Sequence, residues 1–231
     1  MIEIVNLVFH YPDGRAALDK INLVIHPGEK VALVGANGAG KSTLLLHLNG
    51  ILQDEGLVKI NGFEVNKQNL PKIRSLVGMV FQNPDDQLFS LTVGEDVAFG
   101  PIYQGFESHI VDDKVKNALS DVQLSGFEDR HPFHLSGGEK KRASVATVLS
   151  MSPEYLVLDE PTAGLDPKSR KELMALLKTL PQSLIIATHD LKMALDLTDR
   201  VILINHGKIA ADGKTKDILL NEEILHENDL L

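Results

Sequence analysis

Gly35-Ala36-Asn37-Gly38-Ala39-Gly40-Lys41-Ser42 follows the apolar run Val31–Val34 and precedes the helix-like segment Ser42–Asn49. The spacing G-x-x-x-x-G-K-S suits a loop that grips phosphate. Gly35, Gly38 and Gly40 let backbone N–H groups turn inward around β- and γ-phosphates. Lys41 adds a positive charge and Ser42 a hydroxyl for Mg²⁺. The helix that follows directs its positive end at the same anion. On this motif alone, kinases, GTPases and many ATPases all remain open.

Tyr155-Leu156-Val157-Leu158-Asp159-Glu160 puts two carboxylates at the C-terminal end of an apolar strand, where open α/β sheets hold ligands. Successive strand residues point opposite ways, so the pair need not share one task. Asp159 is the better candidate for holding Mg²⁺ through water. Glu160 is then free to orient and deprotonate an attacking water. An acidic turn before Pro161 would read the same, and only the phosphate loop favours the catalytic reading. Thr188-His189-Asp190 follows another apolar strand, Leu184–Ala187. A lone histidine there is more often a loop or cap residue, but at a neighbouring strand end it can touch a γ-phosphate.

Leu135-Ser136-Gly137-Gly138-Glu139 fits a capping box, with Ser136 capping a helix and Glu139 reaching back. Two glycines in a first helical turn cost about 1 kcal/mol each relative to alanine. Something should require bare backbone there, and a phosphate docking on exposed N–H groups would. Ala163-Gly164-Leu165-Asp166 reads as a helix start, with Asp166 as N-cap and Pro167 at the first position. His131-x-x-His134 invites a metal, yet Pro132 separates the two and no carboxylate cluster accompanies them. A loop is the better reading.

These residues need a scaffold, and the chain supplies one. Ile2–Phe9, Ala17–Ile25, Lys30–Val34, Gly56–Ile60 and Val77–Phe81 read as strands between turn signals. After Gln82, Thr92–Phe99, Val111–Leu124 and Ser136–Ser150 read as helices, a helical insert from about 84 to 150. Strand Tyr155–Asp159, helix Pro167–Leu180, strand Leu184–Thr188, helix Leu191–Leu197 and strand Arg200–Asn205 then alternate. Continuous apolar strands spaced by amphipathic helices imply a parallel sheet covered on both faces. A hairpin at His206-Gly207 and an acidic tail from Asn221 follow. The fold class is α/β, with a mainly parallel core sheet, an antiparallel β portion near the start and a helical subdomain.

The 231 residues, 43% apolar and 24% charged, have the composition of a soluble globular domain. A net charge of −9 argues against a nucleic-acid surface. With no cysteine, disulfides and thiolate metal sites are excluded. Met1-Ile2-Glu3-Ile4-Val5 lacks the pattern of a secretory signal. No stretch approaches the roughly 18 apolar residues that span a bilayer, so spanning parts are expected on other chains.

Phosphate loop, Leu135–Glu139 pentapeptide and acidic strand, in this order, resemble the ATP-binding subunits of ABC transporters, a P-loop NTPase family, over nearly the whole chain. The resemblance implies one ABC ATPase domain over residues 1–231, with ATP and Mg²⁺ as cofactors. Gly35, Asn37, Gly38, Ala39, Gly40, Lys41, Ser42 and Thr43 would hold the phosphates, and Tyr11 would stack on adenine. Gln82 would touch the metal and relay nucleotide state; His189 would sense the γ-phosphate. Catalysis would fall to Glu160, His189 and Lys41, and metal binding to Ser42, Gln82 and Asp159. Ser136, Gly137, Gly138 and Asp166 would meet ATP held by a second ATPase chain, identical or a close paralogue, in a head-to-tail pair. The family pentapeptide usually ends in Gln, whereas Glu139 stands here; a capping role would point its charge away from the nucleotide.

Val80-Phe81-Gln82-Asn83-Pro84-Asp85-Asp86-Gln87-Leu88-Phe89 looks like a stretch of energy-coupling-factor importers. There this region receives a short helix of a transmembrane coupling protein, whose basic residues Asp85 and Asp86 would meet. The resemblance also implies a substrate-binding membrane protein, a peripheral place on the cytoplasmic face of the cell membrane, and cobalt or nickel as cargo. Importers or exporters of other solutes, such as vitamins or amino acids, and soluble ABC ATPases are the alternatives.

Overall fold

The computed structural model describes residues 1–230. The opening third runs β1 (Ile2–His10), β2 (Ala16–Ile25), β3 (Lys30–Val34), α1 (Lys41–Leu48), β4 (Leu57–Ile60), β5 (Phe63–Glu64), α2 (Leu70–Leu76) and β6 (Val77–Val80). Three helices follow: α3 (Val93–Tyr103), α4 (Ser108–Asp121) and α5 (Gly137–Leu149). The last third comprises β7 (Tyr155–Asp159), α6 (Pro167–Thr179), β8 (Ser183–Thr188), α7 (Leu191–Leu197), β9 (Arg200–Asn205), β10 (Lys208–Lys214), α8 (Thr215–Leu219) and α9 (Glu222–Glu227).

Two sheets result. The smaller is antiparallel, in the order β2-β1-β4-β5; the larger runs β10-β9-β3-β8-β7-β6. In the larger, β9, β3, β8, β7 and β6 pair in parallel and only the edge strand β10 is antiparallel. Strands β6, β7 and β8 are buried along their whole length, which is why they read as unbroken apolar runs. Their pleat divides the core. Tyr155 and Val157 join a cluster with α1 and the small sheet, whereas Leu156 and Leu158 join one with α3 to α6. The helical stretch therefore shares its core with the central strands that carry the acidic residues.

Helix ends depart from expectation for identifiable reasons. Helix α3 continues through Pro101, where a stop at Phe99 was expected. Proline leaves the carbonyl four residues earlier without its helical donor, and here the Ser150 hydroxyl donates to Val97 O at 2.8 Å instead. Helix α2 buries only Ile73 of its seven residues, so it carries no helical period. Helix α8, which the sequence reading did not place, and α9 within the acidic tail seat Ile218, Leu219 and Leu225 against β9 and its neighbours.

Candidate functional site

The parallel strands deliver the functional residues at their C-terminal ends. Val34 of β3 lies opposite Thr188 of β8, and Asp159 of β7 opposite Ala187. Gly35, Glu160 and His189 therefore emerge side by side, with Gln82 just beyond β6.

Close backbone contacts fix the phosphate loop. A Cβ on Gly35 would stand 2.2 Å from Ile204 O. One on Gly40, whose φ is 112°, would stand 2.5 Å from Ala17 O. Ala39 supports the loop from behind, its carbonyl accepting from Gly207 N at 3.0 Å. Lys41 folds over the loop and donates from Nζ to Gly35 O at 2.7 Å and Ala36 O at 3.0 Å. Burial pushes its pKa down, against the opposing pull of Glu160 and Asp159. Its partners are carbonyls alone, so the charge is available to an anion in the loop.

Ser42 Oγ donates to Asp159 Oδ1 at 3.0 Å. Burial raises the Asp159 carboxyl above its usual range, and the Ser42 bond opposes this. A hydroxyl and a carboxylate are hard oxygen donors. Two of them suit Mg²⁺, which keeps several waters and takes substrate phosphate oxygens in preference to an all-protein cage.

Glu160 follows at φ 41°, in the left-handed region that non-glycine residues rarely occupy. Its Oε1 accepts from His189 N at 2.9 Å and pairs with His189 Nδ1 at 2.8 Å; Oε2 accepts from Thr188 Oγ1 at 3.2 Å. A carboxylate partner makes Nδ1 the protonated ring nitrogen. The arrangement holds the Glu160 carboxylate at 8% exposure, with its orientation set from β8.

Tyr11 closes the other end of the same cavity. Its hydroxyl bonds Thr43 Oγ1 at 2.9 Å, and its ring meets Phe9 edge-on at 5.0 Å. The Arg15 guanidinium stands 5.0 Å from the ring centre. The cavity, about 360 Å³, is lined by Tyr11, Arg15, Asn37, Gly38, Gly40, Lys41, Ser42, Thr43, Gln82, Glu160 and His189. Of the residues expected to hold a nucleotide from its own chain, Gly35, Ala39 and Asp159 do not line it, and the others are gathered there.

Ser136, Gly137, Gly138 and Asp166 do not line it. Ser136 caps α5, its Oγ accepting from Glu139 N at 3.4 Å, while Glu139 Oε2 accepts from Ser136 N at 2.8 Å and Ser136 Oγ at 2.7 Å. These bonds, the backbone one foremost, hold the Glu139 carboxyl below its usual range. The glycines differ. A Cβ on Gly138 would strike Ser169 Oγ at 2.4 Å, whereas one on Gly137 meets nothing within 4 Å. Packing within the chain accounts for Gly138 and leaves Gly137 free to receive a ligand. Asp166 caps α6, accepting from Lys168 N and Ser169 N. Gly137 borders a separate groove of about 830 Å³, with Gln82, Asp85, Asp86, Lys141 and Asp159.

Asp85 is paired within the chain, to Lys140 Nζ at 2.6 Å. His131 Nδ1 accepts from Phe133 N at 3.2 Å and so caps a short turn. The sequence reading missed Thr188, Arg15 and Lys141. Lys141 sits in Glu139-Lys140-Lys141-Arg142, a charge run that reads as a solvated face, yet it is 3% exposed.

Known proteins resemble this chain in sequence and in fold. Residues 18–163 match the family described as ABC transporter. The energy-coupling factor transporter ATP-binding protein EcfA of Methanothermobacter thermautotrophicus is 48% identical over 236 residues, covering 100% of this chain and 76% of that protein. Among solved structures, cbiO1 from Clostridium perfringens, part of the ABC transporter complex cbiONQ, superposes with a TM-score of 0.85 at 37% identity, covering 99% of this chain and 94% of that one. The ATP-binding cassette MJ0796, in a dimeric post-hydrolysis state bound to ADP and Pi, gives a TM-score of 0.84 at 29% identity, covering 93% and 99%. With its nucleotide cavity, acidic strand end and capped pentapeptide, the chain belongs to the ABC transporter family, as an ATPase subunit that binds and hydrolyses ATP.

Proposed function

We propose that the chain energises an energy-coupling-factor importer for cobalt or nickel ions, acting as a head-to-tail pair that closes around two ATP molecules. One observation carries the paired reading: the nucleotide cavity gathers the groups of one chain, while the bare backbone at Gly137 lies outside it. The dimeric state of the cassette MJ0796 supports the same reading. EcfA and cbiO1 as relatives support the energy-coupling-factor assignment.

Tyr11 stacks on adenine, and the loop from Gly35 to Thr43 holds the β- and γ-phosphates through backbone N–H groups and Lys41. Ser42 and Asp159, with Gln82 beside them, would hold Mg²⁺, which would supply charge neutralisation at the phosphates. Glu160 takes a proton from the attacking water as its oxygen bonds the γ-phosphorus, and the bond to the β–γ bridging oxygen breaks to release ADP. His189 holds the carboxylate through its backbone and Nδ1 N–H groups, beside the γ-phosphate. Ser136 and Gly137 of the second copy complete that phosphate's shell. Closure is favoured because ATP contacts both copies only in the closed pair.

Phe89, Leu91, Ile102 and Tyr103 are each more than 60% exposed. They stand on α3 and the segment before it, which follows Asp85 and Asp86 in the chain. No helix of the described residues is long and apolar enough to cross a membrane. The exposed side chains, and the place of cbiO1 in a complex, support a peripheral subunit docked to a transmembrane coupling protein. Its proposed place is the cytoplasmic face of the cell membrane, beside a substrate-binding membrane protein. Glu160→Gln is the test. ATP should still bind, phosphate release should fall by about 10²–10⁴, and the pair should persist under Mg-ATP; parental turnover would refute the role of Glu160.

A further inference from the structure

The mechanism above leaves a buried cation unused. Lys141 on α5 is 3% exposed. Its Nζ donates to the carbonyl of Gln82 and, at 3.5 Å, to the carbonyl of Glu160. No carboxylate lies within ion-pair distance of it among the described residues.

We propose that Lys141 is a positioning residue for hydrolysis: its ammonium ties α5 to the backbone carbonyls of Gln82 and Glu160, so the seat of α5 sets the aim of the catalytic carboxylate. The proposal rests on the assignment of Glu160 above.

Gln82 and Glu160 lie just past β6 and β7, which pair in parallel with Val80 opposite Leu158. One ammonium therefore spans two adjacent strand ends from a helix that belongs to neither. Glu160 is the residue at φ 41°, a conformation that persists only where surrounding contacts over-determine it. Its carbonyl accepts from Ala163 N at 3.1 Å as well as from Lys141. These two bonds hold the strained peptide from which the carboxylate projects.

Stability alone gives little reason for a lysine there. Burying an ammonium against neutral carbonyls is costly, and an apolar chain of similar length would fill the space. Burial lowers the Lys141 pKa, while the charges of Asp159 and Glu160 oppose the shift. The neighbouring Lys140 has an ordinary role on the surface, paired with Asp85. A shift of α5 against the sheet must break the Lys141 bonds or drag the Glu160 peptide with it. Either way, nucleotide contacts at Ser136 and Gly137, at the start of the same helix, reach the general base.

Lys141→Met tests this. The expected result is a kcat about tenfold to a hundredfold lower, as for a misplaced catalytic group, with KM for ATP and Tm close to parental. Because the chain has no cysteine, Lys141→Cys can be alkylated in denaturant with 2-bromoethylamine and refolded, restoring an ammonium at nearly the same reach. Alkylation should recover most of the lost kcat. Parental kcat in Lys141→Met, or no recovery in an alkylated protein of parental Tm, would overturn the proposal. So would a Lys141→Cys protein that folds only after alkylation, which would make the residue a folding determinant. Glu160→Gln run alongside separates the two failures: if it turns over, the assignment of Glu160 has failed rather than that of Lys141.

Discussion

Ser136 has one hydroxyl and two claims on it. It donates to Glu139 Oε2 at 2.7 Å, and a phosphate reaching the N-terminus of α5 would compete for the same proton. With glutamine at 139, an amide oxygen could accept both Ser136 bonds without bringing a charge. Capping was expected to turn the Glu139 charge away from the nucleotide, but the bond to Ser136 Oγ keeps the carboxylate beside the position where a phosphate of the second copy's nucleotide would dock. At a separation of several ångströms in a solvent-like dielectric, a like charge costs about 0.5–1 kcal/mol, or roughly two- to fivefold in affinity. Glu139→Gln in the Glu160→Gln background should therefore lower the ATP concentration needed for pairing by about that factor, and the difference should shrink in high salt. Its Tm should hardly move, because the cap survives. Light scattering over an ATP titration measures this, and an unchanged or higher midpoint would mean that the charge is not felt at the interface.

Helix α5 meets the sheet at its tightest where β6 has a glycine. A Cβ on Gly78 would lie 1.9 Å from Val148 Cγ1, so Gly78→Ala should push α5 outward and destabilise the fold by about 1–3 kcal/mol. Val148→Ala removes the obstructing methyl groups, and the double variant should be more stable than the sum of the single effects allows, as urea unfolding of the four proteins can show. Strict additivity would place the strain elsewhere. Such packing is what the sequence could not disclose. Strands β7, β8 and β9 were legible because their apolar runs are continuous and bounded by turn residues, and Arg200–Asn205 was placed to the residue. Gly35, Lys41 and Ser42 were legible because phosphate chemistry restricts both type and spacing, whereas Glu160 was read only through the presence of that loop. Helix α2 was not, with one buried residue in seven. Nor was the division of labour between Gly137 and Gly138, since Ser169 is 31 positions further along. Lys141 stayed hidden among charged neighbours because burial of one lysine in a run leaves no compositional trace.

At the scale of the molecule, the question is which copy supplies which half of each site. Lys41 lines the nucleotide cavity and Gly137 does not, so in a head-to-tail pair each nucleotide needs Lys41 from one chain and Gly137 from the other. Lys41→Ala breaks the first half. Gly137→Asp breaks the second by setting a carboxylate against phosphate, and the fold should accept it: a Cβ there meets nothing within 4 Å, and an acidic residue suits the first turn of a helix. Each variant alone has two half-broken sites and should be inactive. In an equal mixture, half of the pairs contain one chain of each kind, with both lesions in one site and the other intact, so about a quarter of all sites are whole. Phosphate release should reappear on mixing, and the same mixture in the Glu160→Gln background should retain ATP that neither variant retains alone. Were each site built within a single chain, every chain in the mixture would still carry its own lesion, and activity would stay at the sum of the separate proteins. That outcome would dissolve the pairing account while leaving the phosphate loop, Asp159 and Glu160 in their places.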